Sequence, residues 1–249
     1  HKEYRRQRQM CIRDRQRAAQ AIAEGRFSRS LITVTNPDGS VALDHEEFPR
    51  PETTLESLSG LKTVFDVVRD VPVEASGTTY GQLIQRKYPD LENFNHIHHA
   101  GNSSGVVDGA AALLLASEDY VQRTGLTPRA RVVATANRGD CPTLMLNAPV
   151  PAARKVLAKA GLEIGDIDLW EINEAFAVVA EKFIRDLGLD RDKVNVNGGA
   201  MALGHPIGAT GSILIGTVLD ELERQQKRYG LVTMCCLLYT SPSPRDVEE

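Results

Sequence analysis

From residue 149 onward, short apolar runs alternate with stretches of helical spacing, and that alternation constrains the fold more than any other feature of the chain. Pro151 sits in the first turn of a helix that runs to Ala160, with Gly161 behind it as a stop. Leu169 to Ile172 reads as a short strand. Glu174 to Leu187 reads as a helix with Phe176, Val179, Ala180, Phe183 and Leu187 on one face. Val194 to Val196 is a strand, Asn197 to Gly211 a glycine-rich loop, and Ser212 to Gln226 a helix with Leu214, Ile215, Val218 and Leu222 inward. Leu231 to Met234 is the last strand. Upstream, Ala110 to Ala116 is an unbroken apolar run, the pattern of a central strand covered on both faces. Ser117 can cap a helix ending at Gly125, and Ala130 to Ala136 reads as a strand. Nearer the start, Arg17 to Glu24 forms a short helix stopped by Gly25, and Ser30 to Thr35 is strand-like before a turn at Asn36 to Gly39. Thr53 to Val64 has helical spacing through Leu55, Leu58 and Leu61. Residues 71–99 are polar and irregular and receive no assignment. Strand and helix in alternation imply an α/β protein, a layered sheet with helices on its faces.

Composition closes off other classes. With 249 residues, 42% hydrophobic and 25% charged, the chain can bury a core and is not disordered as a whole. No run approaches the ~18 apolar residues of a membrane span, so no membrane partner is expected. A pI of about 5.9 argues against a general nucleic-acid binder. Cys11, Cys141, Cys235 and Cys236 lack the spacing of a zinc site or a disulfide framework, so no metal is expected and a reducing cytoplasm fits best. No apolar segment of signal-peptide type follows the N-terminal charges. The two ends stand apart. Residues His1 to Arg17 carry a net +5, which leaves −9 for the remainder. Residues 1–16 are read as a solvated, non-native basic tail in preference to a nucleic-acid arm or a transit peptide. Leu237 to Glu249 holds two Ser-Pro pairs that break regular structure, and is read as a second non-native tail.

Four short segments could carry chemistry. The loop Asn197 to Gly211 (NGGAMALGHPIGATG) almost fits a phosphate loop, but His205 and Pro206 occupy the positions of the required Lys and Ser/Thr. It instead presents one imidazole just before a helix N-terminus, a field that favours the neutral ring. A lone histidine in a loop is more often structural than catalytic. Asn173 to Ala177 (NEAFA) lies at the carboxyl end of a strand, where α/β sheets bind ligands; Asn173 could also simply cap the following helix. Cys235 ends another strand and could be a buried, inert thiol. Ala100 to Gly105 (AGNSSG) could be only a turn. It also contains GxSxG with Ser103, and with Asp140 and His205 it suggests a serine hydrolase, but the strand that should precede such an elbow is absent. His96, His98 and His99 lack a carboxylate or cysteine at ligand spacing, so a polar loop is the better reading.

Taken together, NGGAMALGHPIGATG, NEAFA, AGNSSG and Met234-Cys235 resemble, in order and spacing, the motifs of the thiolases, the acetyl-CoA acetyltransferases and 3-ketoacyl-CoA thiolases. Arg50 to Ser57 (RPETTLES) resembles a segment of that family's loop domain. The resemblance covers roughly Gln16 to Cys235, and the stretch from Lys62 to His99 is longer than in familiar relatives. It implies a thiolase-like layered α-β-α-β-α fold, incomplete because most of the N-terminal half is missing. Residues 17–106 would be part of the loop domain, 107–127 the end of the N-terminal half and 128–236 the C-terminal half. It further implies an acyltransferase that makes or cleaves 3-ketoacyl-CoA, as in fatty acid metabolism and β-oxidation. Acetyl-CoA, acyl-CoA and CoA would be its substrates, with no separate cofactor, and the parent enzyme would be a homodimer or homotetramer. By the same resemblance His205 would activate an acyl-accepting thiol and Cys235 would move the α-proton. Asn173 would hold a water that polarises the thioester oxygen. Ala175 and Phe176 would line the pantetheine tunnel, Ser104 would contact pantetheine, and Arg50 and Ser57 would lie near the nucleotide end of CoA. Two departures bear on activity. The family's nucleophilic cysteine belongs to the N-terminal half, and neither Cys11 nor Cys141 sits in a matching context. Cys236-Leu237-Leu238 stands where the family has a glycine-rich loop. The polypeptide alone is therefore expected to be inactive and poorly soluble, with a non-catalytic acyl-CoA-binding module as the alternative.

Overall fold

The structure, a computed structural model, describes residues 2–91 and 94–235. Its elements run α1 (Lys2–Ala23), β1 (Val34–Thr35), β2 (Val41–Leu43), α2 (Leu55–Ser59), α3 (Tyr80–Lys87), α4 (Glu118–Thr124), α5 (Pro149–Ala160), β3 (Leu169–Ile172), α6 (Ala177–Leu187), α7 (Ala200–Leu203), α8 (Thr210–Arg224) and β4 (Gly230–Thr233). The core forms where the α/β alternation was clearest. β3 and β4 pair in parallel, Leu169 opposite Gly230 through Ile172 opposite Thr233, and a single parallel bridge adds Val194 beside Trp170. Every residue of β3 is buried. α6 lays Ala177, Ala180, Phe183, Ile184 and Leu187 against this strand, and Phe183 meets Trp170 edge to face at 5.8 Å. α5 adds Ala153 and Leu157 to the same core. Three helices end as glycine dictates: Gly125, Gly161 and Gly188 adopt the left-handed conformation behind α4, α5 and α6. Ser117 caps α4 by accepting from the Tyr120 N–H at 3.2 Å.

Several expectations need correction. The first 16 residues are not a solvated tail. Helix α1 begins at Lys2, and Met10, Cys11, Asp14, Ala18 and Ala21 are all buried. Three- and four-residue spacing continues the apolar stripe of Ala18 and Ala21 upstream, and α1 packs on α6 and α7. Arg17 anchors it, donating to the Val194 carbonyl at 2.7 Å and pairing with Asp192 at 2.9 Å. The runs 110–116 and 130–136 are not strands here. They pair with no other strand and face outward, with Leu114 89% and Leu115 77% exposed. An apolar run becomes a strand only when a neighbouring strand takes its N–H and C=O groups, and the described residues supply no such strand. The strand expected at 30–35 shrinks to Val34–Thr35, which pairs with β2 across the Asn36–Ser40 turn. Helix α6 starts three residues later than its apolar spacing suggests, because Phe176 is held extended (φ −144°, ψ 152°). The glycine-rich loop contains α7, and the unassigned stretch contains α3. The second tail, 237–249, lies outside the described residues, as does Cys236. No described helix is long and apolar enough to cross a membrane.

Candidate active site

The parallel pair fixes the site. Because Ile172 and Thr233 are register partners, both chains leave the sheet on the same edge, and the Asn173 N–H extends the ladder to the Thr233 carbonyl at 2.9 Å. Asn173 and Met234-Cys235 therefore emerge side by side at the carboxyl ends of the strands, where loops rather than sheet bonds decide what the backbone meets. Asn195 welds the glycine-rich loop to that edge. Its Oδ1 accepts from the Ile172 N–H at 2.8 Å, and its Nδ2 donates to the Ile172 carbonyl at 3.0 Å and to Glu174 Oε1 at 2.6 Å. The second Glu174 oxygen accepts from the Met201 N–H at 3.2 Å. The carboxyl is fully buried, and that burial pushes its pKa well up. It lies so close to Gly199 that a β-carbon there would stand 2.2 Å from Glu174 Cδ.

A second stitch brings in the AGNSSG segment. Ser103 forms an antiparallel bridge with Phe176, and the Ser104 N–H donates to the Ala175 carbonyl at 3.0 Å. Gly105 donates to the Ala200 carbonyl at 3.3 Å and accepts from the His205 N–H at 2.8 Å. His205 is thus held from both sides, and its ring reaches the strand edge. Nε2 lies 3.4 Å from Asn173 Nδ2, and Nδ1 lies 2.7 Å from Thr210 Oγ1. Burial lowers the imidazole pKa and keeps the ring neutral near pH 7. Cys235 is buried in an apolar patch with Ala175 and Val179, against which Phe176, Val178 and Leu146 pack.

Six of the eight residues singled out by sequence thus gather at one sheet edge: His205, Asn173, Cys235, Ser104, Ala175 and Phe176. Arg50 and Ser57 do not join them. Arg50 is exposed and donates to the Glu47, Phe48 and Pro49 carbonyls at 2.8 to 2.9 Å. The Ser57 hydroxyl closes a capping box with Thr54 at the start of α2. Arg50 lies near Phe48, whose ring packs on Gly105, and α2 reaches the AGNSSG segment through Leu58, which lies against Gly101. Sequence reasoning passed over four neighbours. Thr210 lay in the glycine-rich loop and Glu174 at the start of an expected helix, and neither was given a role. Phe65 follows the expected helix at 53–64 and His98 was read as part of a polar loop; their rings stand 5.8 and 4.7 Å from that of Phe176.

Other groupings do not assemble. The Ser103 hydroxyl donates to the His99 carbonyl at 2.9 Å, and Asp140 accepts from the Cys141 N–H and from Asn147, so no Ser-His-Asp relay forms. His99 Nδ1 accepts from the Gly101 N–H at 3.1 Å, while His96 and His98 each pack on phenylalanines. Among the described residues no group of three His, Cys, Asp or Glu side chains could hold a metal ion. Cys11 is buried beside Met201 with its thiol pushed up to about 12 by desolvation. Cys141 sits in a turn where the Leu144 and Thr143 N–H groups lower its pKa. Surface clefts of about 590 and 550 Å³ lie near Arg86 and near Arg224, and neither includes a site residue.

The family model described as "Thiolase, N-terminal domain" matches residues 3–77, and "Thiolase, C-terminal domain" matches residues 126–239. The first match starts inside the segment read from sequence as a foreign tail. The chain is 45% identical over 230 residues to 3-oxoadipyl-CoA/3-oxo-5,6-dehydrosuberyl-CoA thiolase of Escherichia coli (strain K12), a match covering 90% of this chain and 51% of that protein. It is 38% identical over 229 residues to acetyl-CoA acetyltransferase of Paracoccus denitrificans, covering 91% of this chain and 52% of the relative. Among solved structures, Bacillus anthracis acetyl-CoA acetyltransferase superposes with a TM-score of 0.78 at 34% identity, over 95% of this chain and 53% of that one. Human mitochondrial 3-ketoacyl-CoA thiolase does so with 0.76 at 33% identity, over 94% and 52%. The chain spans about half the length of the curated relatives it matches. Two domain models of one family, relatives of that family and its solved folds all match this chain, and the C-terminal model spans Asn173, His205 and Cys235: the chain belongs to the thiolase family.

Proposed function

We propose that this chain carries the proton-transfer and oxyanion-stabilising part of a site that makes or cleaves 3-ketoacyl-CoA by Claisen chemistry. The observation that carries this reading is the His205–Asn173 pair, held at 3.4 Å on the edge from which Cys235 also emerges. A Claisen step needs a carbanion next to a thioester, with the charge passing to the thioester oxygen. Donors aimed at that oxygen in a water-poor site lower the barrier. Asn173 would supply such a donor through a water bound to its amide, and His205 through Nε2 once that nitrogen has taken a proton. A thiol, with an ordinary pKa of ~8.5, is a serviceable proton shuttle when neighbours adjust it, and Cys235 is the thiol at this edge. It would remove the α-proton of acetyl-CoA in condensation and return it in cleavage. Ser104, Ala175 and Phe176 would line the path of the pantetheine arm, and Arg50 and Ser57 would lie toward its nucleotide end. The substrates would be acetyl-CoA, acyl-CoA and CoA, and the proposed steps call on no resident cofactor. The assembled enzyme would be a homodimer or homotetramer.

Acyl transfer also needs a second thiol to carry the acyl group. Cys11 is buried with a raised pKa and Cys141 belongs to a turn, and neither is hydrogen-bonded to His205. We therefore propose that the 249-residue polypeptide by itself does not complete thiolysis. Incubation with acetoacetyl-CoA and CoA should give no more acetyl-CoA than a His205→Ala control. Turnover well above that control would contradict the proposal.

A further inference from the structure

The hydrogen bonds around His205 form a chain whose direction is fixed at one end. The Thr210 hydroxyl has a single proton. Its oxygen lies 2.9 Å from the Pro206 carbonyl oxygen and 2.7 Å from His205 Nδ1. If the proton pointed at Nδ1, the lone pairs of Thr210 and of the Pro206 carbonyl would face each other at 2.9 Å with no hydrogen between them. With the proton on the carbonyl, the Thr210 oxygen is left as an acceptor, and Nδ1 must carry the hydrogen it accepts. Nε2 then bears the lone pair. The Asn173 nitrogen donates to it at 3.4 Å, which turns Asn173 Oδ1 the other way. That oxygen is buried and has no hydrogen-bond partner among the described residues.

We propose that Thr210 is a positioning residue that locks His205 in its Nδ1–H tautomer and thereby fixes the Asn173 amide with its oxygen toward the ligand. The consequence for recognition is specific. The group beside Asn173 Oδ1 must be a donor, such as a water or an amide N–H, because a bare carbonyl oxygen there would face another acceptor. A water in that position gives one hydrogen to Oδ1 and keeps the second for a thioester oxygen. This last step rests on the Claisen reading above; the tautomer assignment does not. Thr210 is itself buried at the first position of α8, so its rotamer is set by packing and by its backbone bond to Pro206 at 2.9 Å.

The tautomer is readable without turnover. Long-range ¹H–¹⁵N correlation spectra of the ¹⁵N-labelled full chain distinguish a protonated from a bare ring nitrogen, and His205→Ala assigns the signal among the six histidines. The wild type should show a bare Nε2 and a protonated Nδ1. Thr210→Val, nearly the same shape without the hydroxyl, should move His205 to the Nε2–H form or to a mixture, and Thr210→Ser should restore the original pattern. A wild-type His205 already in the Nε2–H form would overturn the proposal. So would Thr210→Val leaving the tautomer unchanged, or Thr210→Ser failing to restore it. If Thr210→Val does not fold, Thr210→Ala, which lacks the same hydroxyl, takes its place with the same expected and overturning results. A confirmed tautomer in a chain that binds no CoA would refute the proposed function and leave this inference standing.

Discussion

Glu171 illustrates what a single residue can reveal. It is a carboxyl in the middle of buried β3, 2% exposed. Desolvation first, then the neighbouring Glu221 and Asp14 carboxylates, pushes its pKa well above the ordinary value of 4.5. A group whose folded pKa is raised contributes most when protonated, below its unfolded pKa, and that contribution is lost as pH rises toward the folded value. Glutamine mimics the protonated form at every pH. Glu171→Gln should therefore raise Tm at pH 8, with the gain shrinking to nothing by about pH 4 in thermal melts; a gain independent of pH would contradict the burial argument. At this scale the site was partly legible. Asn173, His205 and Cys235 stand at strand ends or in a loop too rich in glycine to be a simple connector. Thr210 was not legible, because a threonine near the end of a glycine-rich loop carries no signal of its own. Only the fold brings its oxygen within 2.7 Å of the imidazole.

Between elements, the glycine-rich loop works because Gly199 leaves room for the buried Glu174 carboxyl. Its φ of −121° is open to any residue, so the constraint is purely steric. Gly199→Ala should cost about 1–3 kcal/mol, the range for overpacking a tight contact. Urea unfolding measures it, and a cost near zero would mean that Glu174 can move aside. α6 offers the opposite test. Phe183 is fully buried against Trp170, and Phe183→Ala should cost about 3–5 kcal/mol; a loss below about 1 kcal/mol would contradict the core described here. Elements with self-contained signals were legible: α4 with its serine cap, α5 with its prolines and glycine, β3 with its four buried residues. Elements that need a partner were not. The runs 110–116 and 130–136 were expected to be strands from their apolar sequence alone, but no described segment pairs with them and they form none. The start of α6 was misplaced for a related reason. Asn173 to Phe176 has helical apolar spacing, yet Ser103 holds Phe176 extended.

For the molecule as a whole, those unpaired runs set the solution behaviour. Leu114 and Leu115 stand outward, and Val106 and Val132 are 98% and 67% exposed. Apolar surface on this scale marks a face that something covers or that associates. The purified chain should self-associate with rising concentration in size-exclusion chromatography, and Leu114→Lys with Leu115→Lys should shift it toward the monomer. A monodisperse wild type at high concentration would contradict this. Family membership was legible from four separated motifs together, because their order and spacing restrict the fold far more than any one of them does. The helical start of the chain was not, since its arginines hide the stripe of Met10, Asp14 and Ala18 that faces the core. The central claim is that His205, Asn173 and Cys235 form one proton-transfer site, and deuterium exchange into the methyl group of acetyl-CoA in D₂O tests it most directly. The Cys235 thiolate would take a proton from the methyl carbon and return a deuteron, with no acyl transfer required. The full chain should label acetyl-CoA faster than buffer, and Cys235→Ala and Asn173→Ala should each remove the excess. Labelling no faster than buffer, or labelling that survives Cys235→Ala, would contradict the account.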